Sequence, residues 1–130
     1  MPRRAASWAL PLREGKTQME TQPKIGITTI APEVLETIAR LTTLAVPGVA
    51  RMTSPPGMRR LLRQDGVEIE VVGNSVRVEL YVVTDPDVNM LAVGRQIQAE
   101  VTRAIQDMVG MEVDYVDVHI EDVAYPSEGT

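Results

Sequence analysis

Residues 66 to 83 alternate between apolar and polar side chains in two stretches, which are separated by Gly73 and Asn74. Alternation with a period of two is typical of half-buried β-strands, and glycine followed by asparagine suits the positive φ angles of a two-residue hairpin loop. The pattern therefore predicts a β-hairpin. Counted outward from the loop, the apolar partners are Val71 with Val76, Ile69 with Val78, and Val67 with Leu80.

The other face of this hairpin is charged. The same register places Glu70 opposite Arg77, which is a favourable pair, and Glu68 opposite Glu79. Like charges that face each other directly cost roughly a few tenths of a kcal/mol. Two facing carboxylates are also a candidate acid/base or metal site, but on a solvated strand face we expect them to be structural.

A helical pattern follows the hairpin. Apolar residues recur at intervals of three or four between residues 93 and 108, as on the buried face of an amphipathic helix. Asn89 is a suitable N-cap for this helix and Gly110 is a suitable C-cap. The predicted buried stripe consists of Val93, Ile97, Val101, Ile105 and Met108.

A shorter helix is predicted nearer the start of the chain. It begins at Pro32, because proline suits the first helical turn, and it ends near Ala45, before Pro47 and Gly48. Its predicted apolar stripe is Val34, Ile38, Leu41 and Ala45. The β-prone run from residue 25 to residue 30 precedes this helix, and we expect it to form the first strand.

Residues 111 to 123 predict the final strand. One face would carry Val116, Val118 and Ile120, and the other would carry Asp117, His119 and Glu121. Val113 and Tyr115 have the opposite parity. Either a β-bulge restores the phase near Tyr115 and Val116, or the first residues belong to a turn.

The predicted elements follow the order βαββαβ. We therefore expect an α+β fold in which an antiparallel or mixed sheet carries two helices on one face, which is the ferredoxin-like order of elements. Polar alternation in every strand agrees, because a sheet covered on both faces would not show it. The connection from Val46 to Asp65 is long, and an extra strand within it is the alternative.

We expect the folded domain to span residues 25–125, followed by a flexible C-terminus at residues 126–130. Residues 1–24 are basic and lack periodicity, and we interpret them as a disordered tail. Met19 offers a second start, so that residues 1–18 are either part of this tail or an upstream mis-start. A basic arm that touches anionic lipid is a further interpretation of the tail.

Composition narrows the class of protein. The 130 residues suit one domain, the hydrophobic content is 44%, and no apolar run approaches the roughly 18 residues that cross a bilayer. The chain has no cysteine and one histidine, which excludes a disulfide framework, a thiolate nucleophile and paired-histidine metal motifs. We expect a cytoplasmic protein without a direct membrane span.

Charge is unevenly distributed along the chain. Residues 1 to 24 have five basic and two acidic residues, a net charge of +3. Because the whole chain has a net charge of −5, residues 25 to 130 carry −8 and should repel nucleic-acid phosphates. Within this acidic remainder, Arg59, Arg60 and Arg63 are a candidate interaction surface for phosphate or an acidic partner. The alternative is a solvated loop whose neighbouring apolar residues pack against the core.

The sequence contains no recognisable catalytic motif. It has no glycine-rich phosphate loop and no nucleophile elbow, and its few aromatic residues do not suggest a base-stacking platform. Asp117, His119 and Glu121 resemble a metal triad, but alternate side chains on one strand stand about 6–7 Å apart and do not converge on one ion. We therefore predict no catalytic residues, no metal and no cofactor.

Three runs of the sequence resemble a known family. They are IGITTIAPEVLETIARLTTLAVPGV, GVEIEVVGNSVRVELYVV and IQAEVTRAIQDMVGMEVDYVDVHIEDV. Their order and spacing between Lys24 and Val123 are similar to those of the alkaline shock protein family, also called the envelope stress response protein domain. The most specific pieces are IAPEV at the start of the first helix, PGV after it, and MVGMEV before VDVHI.

The resemblance implies a non-enzymatic bacterial protein of the alkaline or envelope stress response. Such a protein would self-associate as a structural or scaffolding module in the cytoplasm, peripheral to the membrane through a membrane-anchored protein partner. The alternative is a small nucleic-acid-associated or ribosome-associated binding module that uses the arginine loop, although the acidic domain leads us to expect no nucleic-acid partner. From the charges we further expect a homo-oligomer, in which the arginines of one copy meet the carboxylates between Asp107 and Glu128 of the next.

Overall fold

The computed structural model describes residues 25 to 55 and 66 to 125. This part of the chain contains two helices and four strands, and the α+β class is as predicted. In chain order the elements are α1 (Pro32–Leu44), β1 (Val49–Met52), β2 (Val67–Val72), β3 (Ser75–Thr84), α2 (Met90–Val109) and β4 (Glu112–Val123).

The four strands form one mixed sheet around β3. β4 runs parallel to β3 along the whole of one edge. β1 and β2 are both antiparallel to β3 and share its other edge, where β1 pairs with residues 82 to 84 and β2 pairs with residues 75 to 80. These two strands therefore lie in line, as two parts of one interrupted edge strand.

The interruption between β1 and β2 is held by backbone hydrogen bonds to Tyr81. The Tyr81 amide donates to the Gly66 carbonyl at 2.8 Å, and the Tyr81 carbonyl accepts from the Thr53 amide at 2.9 Å. The chain thus leaves the sheet edge after Thr53 and returns at Gly66, opposite the same residue of β3. The predicted arginine surface falls between these points and outside the described residues: Arg59, Arg60 and Arg63.

The prediction of a first strand at residues 25 to 30 is wrong. This stretch belongs to no strand, and Ile25 and Ile27 are 70% and 89% exposed. In a ferredoxin-like sheet, the first strand separates the two parallel strands of a split βαβ unit. Here β4 pairs directly with β3, and no place for a strand remains between them. The observed order is αβββαβ, and β1 is the extra strand that the long connection was expected to allow.

Two local predictions are confirmed. The hairpin has the predicted register at all of its pairs, and Gly73 adopts a φ of 62° in its loop. In β4 the pairing skips Asp114, which is the β-bulge predicted near Tyr115. A second skip at Glu121 is not predicted by the sequence pattern.

The buried face of α1 differs from the predicted stripe. Leu35, Ala39 and Thr43 are buried, whereas Val34 and Leu41 are 46% and 56% exposed. Leu35 and Ala39 are also four residues apart, so that α1 has two apolar stripes and spacing alone does not decide which one faces the core. The buried Thr43 hydroxyl is satisfied, because it donates to the Ala39 carbonyl at 2.7 Å.

The predicted stripe of α2 is confirmed except at its end, where Met108 is exposed. Asn89 caps the helix by accepting a hydrogen bond from the Ala92 amide at 3.0 Å. Gly110 ends the helix with a φ of 76°. The buried residues of α2 are Val93, Ile97, Val101 and Ile105.

Both helices pack into one core with the sheet. Alternate residues of β3 are fully buried in this core: Val76, Val78, Leu80 and Val82. The residues between them, including Glu79 and Tyr81, therefore project from the other, open face. Neither helix of the described residues combines the length and the apolar character that a membrane span requires.

Candidate functional site

The open face of the sheet is acidic. It carries the side chains of β2, β3 and β4 that alternate with the buried ones. Its acidic residues include Glu68, Glu70, Glu79, Asp114, Asp117 and Glu121, and its basic residues include Arg77 and His119. Arg51 and Asp122 lie beside Val83 at the end of the same face. This excess of carboxylates favours cations and repels phosphate groups.

At one end of this face, Arg77 is held by two carboxylates. Its Nε donates to Asp114 Oδ2 at 2.9 Å, and its Nη1 lies 3.5 Å from Glu70 Oε1, which confirms the predicted cross-strand pair. The hydrogen bond that Arg77 donates to Asp114 raises the pKa of Arg77 above its ordinary value. Because all three side chains are exposed, these pairs contribute little to stability, but they neutralise the two acids around them.

A tighter cluster lies further along the face, around Glu79. The carboxylate oxygen Oε1 of Glu79 lies 3.0 Å from Nε2 of His119 and accepts a hydrogen bond from the Tyr81 hydroxyl at 3.2 Å. The rings of Tyr81 and His119 stack, with centroids 4.6 Å apart and planes inclined by 14°. The stacking fixes the plane of the imidazole, and the tyrosine hydroxyl fixes the carboxylate.

The negative charges around the cluster change the pKa of Tyr81. Partial burial, followed by the negative charges of Glu68 and Glu79, raises the pKa of Tyr81 to about 12. The hydrogen bond to Glu79 and the charge of Glu121 act in the same direction. Burial and three neighbouring carboxylates therefore both disfavour a further negative charge on this part of the face.

The parallel register of β3 and β4 brings a third ligand into the cluster. Glu79 pairs with Asp117 and Tyr81 pairs with His119. As a result, one ligand atom from each of Glu79, Asp117 and His119 lies within 4.8 Å of the other two. Among the described residues, this is the group of histidine and carboxylate side chains that converges.

The sequence pattern places the members of this group in two separate candidates, Asp117 and His119 with Glu121 on one strand, and Glu79 with Glu68 on the hairpin. The structure instead brings Glu79 to Asp117 and His119. The hairpin pattern does place Glu79 on the polar face. The missing information is the β3–β4 register, because those strands are joined by a long helical crossover rather than by a turn.

An apolar groove runs between α2 and β4 on the opposite side of the sheet. It has a volume of about 530 Å³, and Leu91 on its rim is largely exposed. Gln98 anchors the helix beside it by donating from Nε2 to the Val116 carbonyl at 3.1 Å. The groove is lined by Met90, Leu91, Gly94, Arg95, Gln98, Val118 and Ile120.

The groove borders an open strand edge. Within the described residues β4 pairs with β3 alone, so its outer edge has no strand partner there. The exposed isoleucines of residues 25 to 30 lie elsewhere on the same chain. An open edge, an apolar groove beside it and an unpaired β-prone segment are therefore present together.

The family model of the alkaline shock protein 23 family, described by its cell envelope-related function, matches residues 20–125. This chain belongs to that family. The membership confirms the resemblance inferred from the three sequence runs, and it covers both the open acidic face and the groove beside β4. The family's function is cell envelope-related.

Similar proteins extend the comparison. The uncharacterized protein YqhY of Bacillus subtilis (strain 168) is 22% identical over 110 residues, which cover 80% of this chain and 82% of that protein. The uncharacterized protein YloU of the same organism is 22% identical over 113 residues, with coverage of 81% and 94%. The MamM CTD in its copper form has the same fold at a TM-score of 0.55 and 16% identity, over 76% of this chain and 92% of that one.

Proposed function

We propose that this alkaline shock protein family member is a non-enzymatic scaffolding module that self-associates near the cell envelope. The observation that carries the proposal is the open edge of β4, with the apolar groove beside it and the exposed isoleucines of residues 25–30 on the same chain. The occupant of the groove is that segment from a second copy. We propose a cytoplasmic location, held to the membrane by an anchored protein partner, on the basis of the family's cell envelope-related function.

The contact is a strand addition. A β-prone segment that joins an open sheet edge gains backbone hydrogen bonds, and its alternate side chains enter the adjacent pockets. Ile25 and Ile27 are two residues apart, so that both would face the groove, while Thr28 would face away. The segment of one copy meets the edge of another, and unlike surfaces of this kind propagate into chains or rings rather than closing as a dimer.

The expected strength follows from the buried area. Two buried isoleucines contribute about 3–6 kcal/mol. This gain is comparable only to the low end of the free-energy cost of association, which is about 4–15 kcal/mol. The backbone hydrogen bonds along β4 must supply the rest, so that assembly should be weak for a pair of copies and should depend on protein concentration.

A charged contact remains a second prediction for the same assembly. In it, Arg59, Arg60 and Arg63 of one copy meet the acidic residues from Asp107 onward in the next. The described residues that flank the arginine segment, Thr53 and Gly66, lie on the sheet edge opposite to β4. Two opposite edges of one sheet suit head-to-tail assembly. The charged contact would weaken at high salt, whereas the strand addition would persist.

Sedimentation velocity at low and high ionic strength tests the proposal. We expect oligomers of the full chain that grow with concentration, persist in high salt and disappear in Ile27→Asp. Thr28→Asp is the matched control, because it adds the same charge to the outward side of the same segment. If oligomers instead dissolve in salt and in a triple replacement of the arginines by glutamate, the charged contact holds the subunits. A monomer under all conditions contradicts self-association by either route.

A further inference from the structure

We propose that Glu79, Asp117 and His119 bind a divalent transition-metal cation of the Zn²⁺ class on the open face of the sheet. This site is independent of the self-association proposed above, because it lies on the other side of the sheet from the groove. It also replaces the expectation from the sequence that this protein has no metal site.

The distances between the donor atoms suit one ion. Zinc binds imidazole nitrogen and carboxylate oxygen at about 2.0–2.2 Å. Nε2 of His119 and Oε1 of Glu79 are 3.0 Å apart. Two ligands at this separation subtend about 90° at an ion placed about 2.1 Å from each, so that the hydrogen bond between them widens slightly to reach the about 109° of a tetrahedral zinc site. Asp117 completes the group within 4.8 Å. Two ligands of one zinc ion are at most about 4.2 Å apart, twice the metal–ligand distance, so that the Asp117 side chain rotates toward the other two when the ion binds.

The ligands are held in place by neighbouring groups that do not themselves bind the metal ion. Stacking on Tyr81 sets the plane of the His119 ring, and the Tyr81 hydroxyl bonds the carboxylate of Glu79. Outer contacts of this kind orient metal ligands and commonly change metal affinity by about 10–100-fold when they are removed. All three ligands stand on the paired strands β3 and β4, the most extensively paired part of the sheet.

The surrounding charge favours a cation. Glu68 and Glu121 lie near the cluster and both act on Tyr81, whereas the guanidinium of Arg77 on the same face is engaged by Asp114 and Glu70. A bound divalent ion would relieve the repulsion between these carboxylates. One imidazole with two carboxylates suits zinc and its transition-metal neighbours better than magnesium or calcium, which prefer all-oxygen sites.

Titration calorimetry of the full chain with Zn²⁺ at pH 7.5 tests the site. We expect one ion per chain with a dissociation constant in the micromolar range, and a loss of at least about 10-fold in affinity in both His119→Gln and Glu79→Gln. Glu121→Gln and Glu68→Gln are the matched controls, because each removes one negative charge from the same face without removing a ligand. They should change the affinity by less than about 3-fold, as expected for an exposed charge.

A second readout identifies the ligand directly. The ring resonances of His119, the single histidine of the chain, should shift in NMR spectra as Zn²⁺ is added up to one equivalent. Saturable binding that is lost equally in Glu121→Gln and Glu79→Gln would show a diffuse acidic surface and would overturn the proposal. So would the absence of saturable binding below millimolar Zn²⁺, provided that circular dichroism shows all variants folded.

Discussion

The junction between β1 and β2 gives the most quantitative prediction, for Gly66→Ala. Gly66 is buried and has a φ of 81°, a conformation that residues with a side chain rarely adopt. A Cβ atom at this position would lie 2.5 Å from the Thr53 carbonyl oxygen and 2.7 Å from the Tyr81 carbonyl oxygen. Both are backbone atoms, so that no side chain can rotate to make room.

The expected cost has two parts. The left-handed backbone conformation costs about 1–2 kcal/mol for a residue other than glycine. Moving the Tyr81 carbonyl weakens the 2.9 Å hydrogen bond that it accepts from the Thr53 amide, and displacing Gly66 weakens the 2.8 Å hydrogen bond that its carbonyl accepts from the Tyr81 amide. Each is worth about 0.5–1.5 kcal/mol. The free energy of unfolding should therefore fall by about 2–5 kcal/mol, which at about 4 °C per kcal/mol is a fall in Tm of about 8–20 °C.

Two other glycines are controls for this measurement by urea and thermal unfolding. Gly94→Ala, inside α2, meets no atom within 4 Å and should raise the stability by about 0.5–1 kcal/mol, because alanine favours the helix. Gly73→Ala has a φ of 62° but also meets nothing within 4 Å, so it should show the conformational cost alone. If Gly66→Ala costs no more than Gly73→Ala, the junction does not have the described close contacts. A cost near zero would refute the left-handed conformation as well.

Three further predictions concern buried or peripheral groups. The pKa of Tyr81 is raised to about 12 in the folded chain, above the value of about 10 in the unfolded chain. The unfolded state therefore loses the tyrosine proton at a lower pH than the folded state, and the free energy of unfolding should fall as the pH rises from about 10 to 12. Urea unfolding of Tyr81→Phe should show a flatter decline in that range, and an unchanged slope would contradict the shift. The buried Thr84 hydroxyl has no hydrogen-bond partner within the described residues, so Thr84→Val should stabilise the fold by about 1 kcal/mol, whereas Thr43→Val, which removes a satisfied hydroxyl, should not. A chain that starts at Met19 should melt with the full chain, because residues 1–18 have no periodic apolar face; a Tm lower by several degrees would show that they pack.

Local patterns predict the parts of this fold that depend on neighbouring residues. The period of two and the Gly73 loop determine the hairpin register, and the parity change near Tyr115 locates a bulge. Asn89 and Gly110 mark both ends of α2. In each case the residues that carry the signal lie within a few positions of the feature that they specify.

The features of the fold that local patterns do not predict depend on contacts between elements that are distant in the sequence. α1 has two apolar stripes, and only packing against the other elements selects Leu35 over Val34 for the core. Residues 25–30 have strand propensity, but β4 already occupies the edge of β3 that a first strand would use. The same β3–β4 pairing brings Glu79 to His119, so that the candidate metal site could not be assembled from the sequence alone.

A mixing experiment tests the proposed head-to-tail assembly most directly. Ile27→Asp removes the inserted segment and Leu91→Asp removes the groove, and both side chains are exposed in the single chain, so that each variant should fold. Each variant alone should sediment as a monomer at high salt. Mixed in equal amounts, they should form a dimer that grows no further, because the intact segment of one variant meets the intact groove of the other. If the mixture stays monomeric, or if either variant alone still forms long oligomers, then the segment of residues 25–30 and the β4 groove are not the two halves of one contact.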